Sequence, residues 1–281
     1  LAPRAHPEWG RGLLDDVAVL PSRAGYDLVL TKDSIVEGVH FLAEDPMDTV
    51  ARKLLRVSLS DLAAKGAEPF GYMLGCFWST RCGWPEREAF AAGLKHDQTE
   101  FGVALMGGDT VNTPGPASFS LTMLGWMPRG RTVGRDGARP GDVVLVTGAI
   151  GDGYLGLQAA RGMLSLEPER LLVLTDHYRA PVPRVAFAPH IRDLATAAID
   201  VSDGLVADLG HVATASGVAL EIDLYEIVFT ARAHDEAELH RAAERQHLRL
   251  TAIGRVVAGT GVTVRWAENI VDVRRPGWTH D

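Results

Sequence analysis

Cysteine is scarce in this chain. Only Cys76 and Cys82 occur in 281 residues. Their spacing matches no zinc pattern, and two thiols cannot complete a four-cysteine site. They read as buried or incidental. Long apolar runs are also missing. None approaches the roughly 20 residues that span a bilayer, and LAPRAHPEWGRG lacks the apolar segment of a signal peptide. The expected location is therefore cytoplasmic, with no membrane partner. No basic run is present and the net charge is −8, which disfavours nucleic acid as a partner. A P-loop is excluded because G-x-x-x-x-G-K-[ST] does not occur. G-x-S-x-G is absent too, and no local motif suggests a Ser–His–Asp or Cys–His arrangement.

What is present suits a large-cored globular protein, with 46% hydrophobic and 23% charged residues. YDLVLTKDSIVEGVHF (26–41) reads as two short strands around a polar centre. Residues 48–69 and 85–102 have helical periodicity, the latter stopping at Gly102. VALMGGD (103–109) reads as a buried strand entering a glycine turn, and SFSLTMLGWMP (118–128) as a further strand. GRDGARPGD (134–142) is dense in glycine, proline and charge. It sets the expected boundary between domains 1–137 and 138–281. Beyond it come a strand at 142–148, helices near 153–162 and 203–216, and a strand at 219–224. Strand, helix and strand then follow at 225–231, 234–246 and 250–259. The alternation predicts an α/β (α+β) fold. GDGYLG (151–156) matches G-x-G-x-x-G, but a dinucleotide fold needs an acid ending a second strand about 20 residues on. Asp176 after LEPERLLVL fits loosely, so a plain strand–turn–helix loop is favoured.

Acids recur at the ends of apolar stretches: Asp15, Asp16, Asp33, Asp61, Asp109, Asp200 and Asp203. Any one alone reads as a cap or turn residue. Together, beside Ser60, Gly107, Gly108, Ser202 and Gly204, they suit Mg²⁺ carrying phosphate. Mg²⁺ would let an acidic protein handle anions. Arg135 reads equally as a phosphate contact or a solvated loop arginine. His40, alternating with apolar neighbours, reads first as a satisfied structural histidine. Asp203 is expected to cap a helix from Gly204. Asp208, five residues on, fits an exposed position on that helix and is expected outside the site, in a structural or solvated role.

The ordered set LLDDVAVL, TKDSIVEGVHF, SLSDLAAKGAEP, MGGDT, GRDGARPGD, AIDVSDGLVADLGH and GWTH resembles the thiamine-monophosphate kinase family. That family belongs to the aminoimidazole-ribonucleotide-synthetase-like superfamily. The resemblance implies a two-domain fold that pairs as a homodimer through its N-terminal sheet. It implies transfer of the ATP γ-phosphoryl onto the phosphate of thiamine monophosphate, with several Mg²⁺ ions. Matched residue by residue, Asp16, Thr31, Lys32, Asp33, Asp61, Asp109, Asp200 and Asp203 correspond to the metal site, with Asp61 bridging ions. Gly108, Asp109, Arg135 and Ser202 correspond to ATP contacts. His40 and Trp278 correspond to contacts with thiamine monophosphate. Lys32 stands where the family commonly has Thr. Leu224 runs directly into Tyr225 and Glu226, where the family carries a longer segment ending in Gly-Gly-Glu-Asp before them. Either that segment is deleted or a substrate-ordered loop has been left out of the chain. The alternatives are another ATP-dependent synthetase of the superfamily, or an inactive nucleotide- and Mg²⁺-binding homologue. Selenide activation would need a reactive Cys in an N-terminal glycine-rich loop, and none is there.

Overall fold

The computed structural model describes residues 6–223, 227–266, 269–273 and Gly277. The chain divides into two compact units. One comprises residues up to Leu62, Glu68–Gly130 and Asp152–Val185. The other comprises Ala63–Ala67, Arg131–Gly151 and the chain from Ala186.

The first unit is built on a four-stranded sheet. Its strands are β1 (Tyr26–Val36), β2 (Glu68–Ser79), β3 (Ala104–Thr113) and β4 (Ser118–Pro128), in the order β1-β4-β2-β3. Only β2 and β3 run parallel. Helix α1 (Met47–Ala64) turns Val50, Leu54, Leu55, Leu59 and Leu62 inward at helical spacing. Helix α2 (Trp84–Phe101) begins where the Gly83 N–H donates to Glu86 Oε2 at 2.8 Å, and ends at Gly102 with φ 67°. Trp78, Phe90 and Phe119 fix the core, with the Phe90 and Phe119 rings stacked at 4.4 Å. Helices α3 (Asp152–Ala160) and α4 (Pro168–Arg179) pack on each other in the same unit.

Two expectations change here. β1 is one 11-residue strand, because its polar centre alternates faces as readily as its apolar start. β3 does not turn at its glycines. It runs on beside β2 because Gly108 lacks a Cβ, which would lie 1.9 Å from the Leu74 carbonyl oxygen. The favoured plain loop at GDGYLG is what forms, leading from β5 (Val143–Thr147) into α3. Asp176 lies on helix α4 and ends no strand, so the dinucleotide geometry does not arise.

The second unit holds a seven-stranded sheet. Besides β5 it contains β6 (Ala195–Ala198), β7 (Ala219–Asp223), β8 (Ile227–Ala231), β9 (Leu250–Val257), β10 (Gly261–Trp266) and β11 (Asn269–Val271), in the order β11-β10-β7-β9-β5-β8-β6. Both faces of β5 are covered, which explains its unbroken apolar run. Val144 and Val146 pack with Leu209 and Val212 of helix α6 (Leu205–Ser216). Leu145 packs instead among Ile191 of helix α5 (Ala188–Leu194) and Leu239 and Ala242 of helix α7 (Glu236–Arg245).

Candidate functional site

In the first unit the pleat of β1 sorts TKDS between two faces. Thr31 and Asp33 are half-buried; Lys32 and Ser34 are exposed. The buried side meets α1, where Ser58 and Asp61 lie one turn apart. The Thr31 hydroxyl donates to Asp61 Oδ2 at 2.5 Å, and the Ser58 hydroxyl to Asp33 Oδ2 at 2.6 Å. Burial pushes the Asp33 carboxyl above its usual range. The Asp61 charge adds to this, while the Ser58 hydrogen bond and the Lys32 charge oppose it. The result is two neighbouring carboxylates with hydroxyl partners. A hard, all-oxygen donor set of this kind fits Mg²⁺.

The Lys32 side chain goes the other way. Its Nζ donates to Ser120 Oγ at 2.6 Å, and Ser34 bonds the same oxygen at 2.9 Å. Asp109 is exposed and stands in register with Gly75, which pairs with Ser120 and through it with Ser34. Gly108 shares the row of Asp33 through Leu74 and Leu121. The structure thus assembles Thr31, Asp33 and Asp61 on the face toward α1, and sets Asp109 one row away on the opposite, open face with Lys32 and Ser34.

Asp16 is exposed, and its N–H donates to Asp15 Oδ1 at 2.8 Å. Asp15 is held by Arg11, whose hydrogen bond and charge keep its carboxyl below the usual range. His40 closes the turn after β1. Its Nδ1 accepts the Val36 N–H at 3.1 Å, so in the neutral ring Nε2 carries the proton.

In the second unit Asp200, Ser202 and Asp203 occupy the loop between β6 and α6. The expected cap does not form here, since Gly204 and not Asp203 takes the N-cap position of α6, with no side-chain cap bond. Asp208 organises this loop. Only 3% exposed, it accepts the N–H groups of Ser202, Asp203 and Gly204 on one oxygen at 3.1, 3.2 and 3.1 Å. The expectation of an exposed Asp208 is therefore corrected. It is a buried residue directly supporting two candidate site positions. Burial raises its carboxyl pKa even though three N–H groups stabilise the anion. Arg135 is exposed, and its carbonyl oxygen accepts the Ser216 hydroxyl at 2.8 Å. Trp278 and the Leu224–Tyr225 junction lie outside the described residues.

Sequence reasoning missed Ser58. Its signal was available, because it lies three residues before Asp61 in the same SLSD string. His96, Asp97 and Glu100 form a compact acidic group, but arginines already fill it. Arg56 grips Asp97 through two nitrogens at 2.6 and 2.9 Å and reaches Glu100 at 2.7 Å. This is an ion-pair network anchored on the buried Asp97 and Arg56.

Comparison with known proteins completes the assignment. The family described as AIR synthase related protein, N-terminal domain, matches residues 14–127, and its C-terminal counterpart matches residues 139–230. A thiamine-monophosphate kinase of Caulobacter vibrioides is 44% identical, covering 95% of this chain and 84% of that protein. The chain belongs to the thiamine-monophosphate kinase family. A crystal structure of thiamine-monophosphate kinase from Stenotrophomonas maltophilia superposes with a TM-score of 0.82 at 36% identity, covering 90% and 89% of the two chains. AaThiL complexed with AMPPCP and TMP gives 0.80 at 30% identity, covering 93% and 89%. The mixed α/β architecture is that of AIR synthase related proteins. The Caulobacter alignment spans 300 positions, more than the 281 residues here, so the relative carries internal residues that this chain lacks. Among the described residues, no helix is long and apolar enough to cross a membrane.

Proposed function

We propose that this chain transfers the γ-phosphoryl group of ATP directly onto the phosphate of thiamine monophosphate, giving thiamine diphosphate and ADP. The observation that carries this reading is the 44% identity to a thiamine-monophosphate kinase along almost the whole chain. The likeness to AaThiL complexed with AMPPCP and TMP supports both substrates, since AMPPCP is a nucleoside triphosphate analogue. The paired Asp33 and Asp61 carboxylates supply the matching chemistry.

In the first unit, Asp33, Asp61, Asp109 and Asp16 are assigned to Mg²⁺, with Thr31 and the Lys32 backbone beside them. In the second unit, Asp200 and Asp203 are assigned to Mg²⁺. Gly108, Asp109, Arg135 and Ser202 are assigned to ATP. His40 and Trp278 are assigned to thiamine monophosphate. Domains 1–137 and 138–281 remain the proposed functional division, the first carrying nucleotide binding and dimerisation. Mg²⁺, when bound, neutralises phosphate charge and aligns donor with acceptor.

The chain's own residues do the rest. Thr31 and Ser58 orient the two carboxylates by hydrogen bonds. The glycine at 108 lets β3, which carries Asp109, run close beside β2. The acceptor phosphate oxygen attacks the γ-phosphorus in line, and the bond to the β-phosphate bridging oxygen breaks. Both reacting groups are anions, so positioning and charge neutralisation account for the rate, with no covalent enzyme intermediate.

We also propose a homodimer built on the open face of the first sheet. Leu28, Leu30, Met73, Phe77 and Val111 are all at least 38% exposed there, an apolar face that monomers rarely leave open. A cytoplasmic location accords with the substrates. The reading is tested by incubating the full chain with thiamine monophosphate, ATP and Mg²⁺ and following thiamine diphosphate by chromatography. Product formation that depends on all three is expected. A folded, Mg²⁺-binding protein that forms none would overturn it.

A further inference from the structure

Lys53 lies on α1 with 8% of its surface exposed. Its Nζ donates to the His40 carbonyl oxygen at 3.0 Å and sits 3.5 Å from the centre of the Tyr178 ring. Tyr178 and Arg179, at the end of α4, grip the other side of the same loop. The Tyr178 hydroxyl donates to Asp45 Oδ2 at 3.1 Å, and Arg179 Nε to Asp45 Oδ1 at 2.7 Å. Asp45 in turn accepts the Leu42 N–H at 2.9 Å. The segment between β1 and α1 is thus tied at both ends, by Lys53 at His40 and by α4 at Asp45.

A buried ammonium is a costly way to pack this position, where a methionine would fill similar space. Burial lowers the Lys53 pKa to about 8, with the Asp45 charge resisting and the Arg179 charge adding. The facing groups among the described residues are Asp45 and His40 from the loop, and Tyr178 and Arg179 from α4. Besides the Tyr178 ring, the ammonium bonds one backbone carbonyl, that of the residue assigned to the acceptor. The same helix carries Ser58 and Asp61 about one and a half and two turns further on, so the bond references the His40 turn to the carboxylate group.

We propose that Lys53 is a positioning residue for the phosphate acceptor: its ammonium holds the His40 turn in the form that binds thiamine monophosphate. This rests on the assignment of His40 to that substrate. The test compares Lys53→Met, Lys53→Arg and His40→Ala in the full chain. Lys53→Met raises KM for thiamine monophosphate about tenfold or more, as expected on losing a charged hydrogen bond, and keeps KM for ATP within about twofold. Its thermal midpoint stays level or rises, because a buried charge has gone. Amides of residues 36–42 exchange faster with solvent, and Lys53→Arg recovers part of the affinity. In the parent protein KM for thiamine monophosphate climbs above about pH 8, and in Lys53→Met it does not.

Parallel rises in both KM values with a lowered midpoint would mark a merely structural role and overturn the inference. Unchanged exchange across 36–42 in Lys53→Met would overturn it whatever His40 does. Wild-type KM for thiamine monophosphate in His40→Ala would defeat the acceptor assignment instead, a separate result.

Discussion

The Asp208 carboxylate accepts the backbone N–H of Ser202 at 3.1 Å, and the same oxygen takes the N–H groups of Asp203 and Gly204. One buried side chain thereby folds the loop before α6. Gly204, at φ 138°, makes the turn that presents its N–H. Asp208→Ala strands three part-buried donors at once. The expected loss is about 2–4 kcal/mol of stability, read by denaturant unfolding, together with weaker nucleotide and metal binding by the loop. Asp208→Asn keeps one acceptor oxygen and should fall between. A wild-type unfolding midpoint in Asp208→Ala would refute this account.

Thr31 tests the orientation of Asp61. Its hydroxyl is the donor in a 2.5 Å bond across from β1 to α1. Thr31→Val keeps the shape and the β-propensity and removes only the donor. Turnover should drop about tenfold, while stability changes by about 1 kcal/mol at most. Steady-state kinetics beside a thermal melt separates the two. A variant with full activity would show that Asp61 needs no help from Thr31.

The sequence disclosed these groups unevenly. β5 and α1 were legible because burial imposed unmistakable patterns, a continuous run in one and a helical period in the other. α4 was not. Leu171, Leu172, Val173 and Leu174 are consecutive, and Leu172 and Val173 stay 62% and 54% exposed, so no period marks the helix. β6 is four residues of Ala and Thr, whose composition says nothing of a strand. Asp33 and Asp61 were legible as a family pattern. Ser58 and Asp208 depend on which side chain meets which backbone after folding, and spacing alone does not fix that. Lys53 was read as part of a helical stretch; only the tertiary packing of Tyr178, distant in sequence, shows its charge to be enclosed.

The open sheet face makes a prediction about association. Leu30 and Phe77 lie on it, 56% and 41% exposed. Replacing both with glutamate places like charges across any two-fold pairing of this face. Sedimentation equilibrium should show a dimer for the parent chain and a folded monomer for the double variant. A parent chain that sediments as a monomer at micromolar concentration would exclude this interface.

Asp33 gives the pH dependence its sign. Its carboxyl is raised in the folded chain, by burial first and by the Asp61 charge in addition. A raised acid contributes stability that is full below the unfolded value of 3.8 and is lost as pH rises through the folded value. At neutral pH the ionised Asp33 is therefore a cost to the metal-free fold. Asp33→Asn should melt higher than the parent in chelator, yet lose about a hundredfold or more in turnover. In the parent, protons compete with the cation for the same oxygens. Mg²⁺ affinity should weaken on acidification from a higher pH than an ordinary aspartate would give. Asp61→Asn removes the like charge and returns the Asp33 titration toward its usual range, while removing a ligand. Calorimetric titration with Mg²⁺ between pH 4.5 and 7.5, at about half-unit steps, reads both effects. If Asp33→Asn melts lower than the parent in chelator, the carboxylate is a stabilising group and this electrostatic account of the site fails.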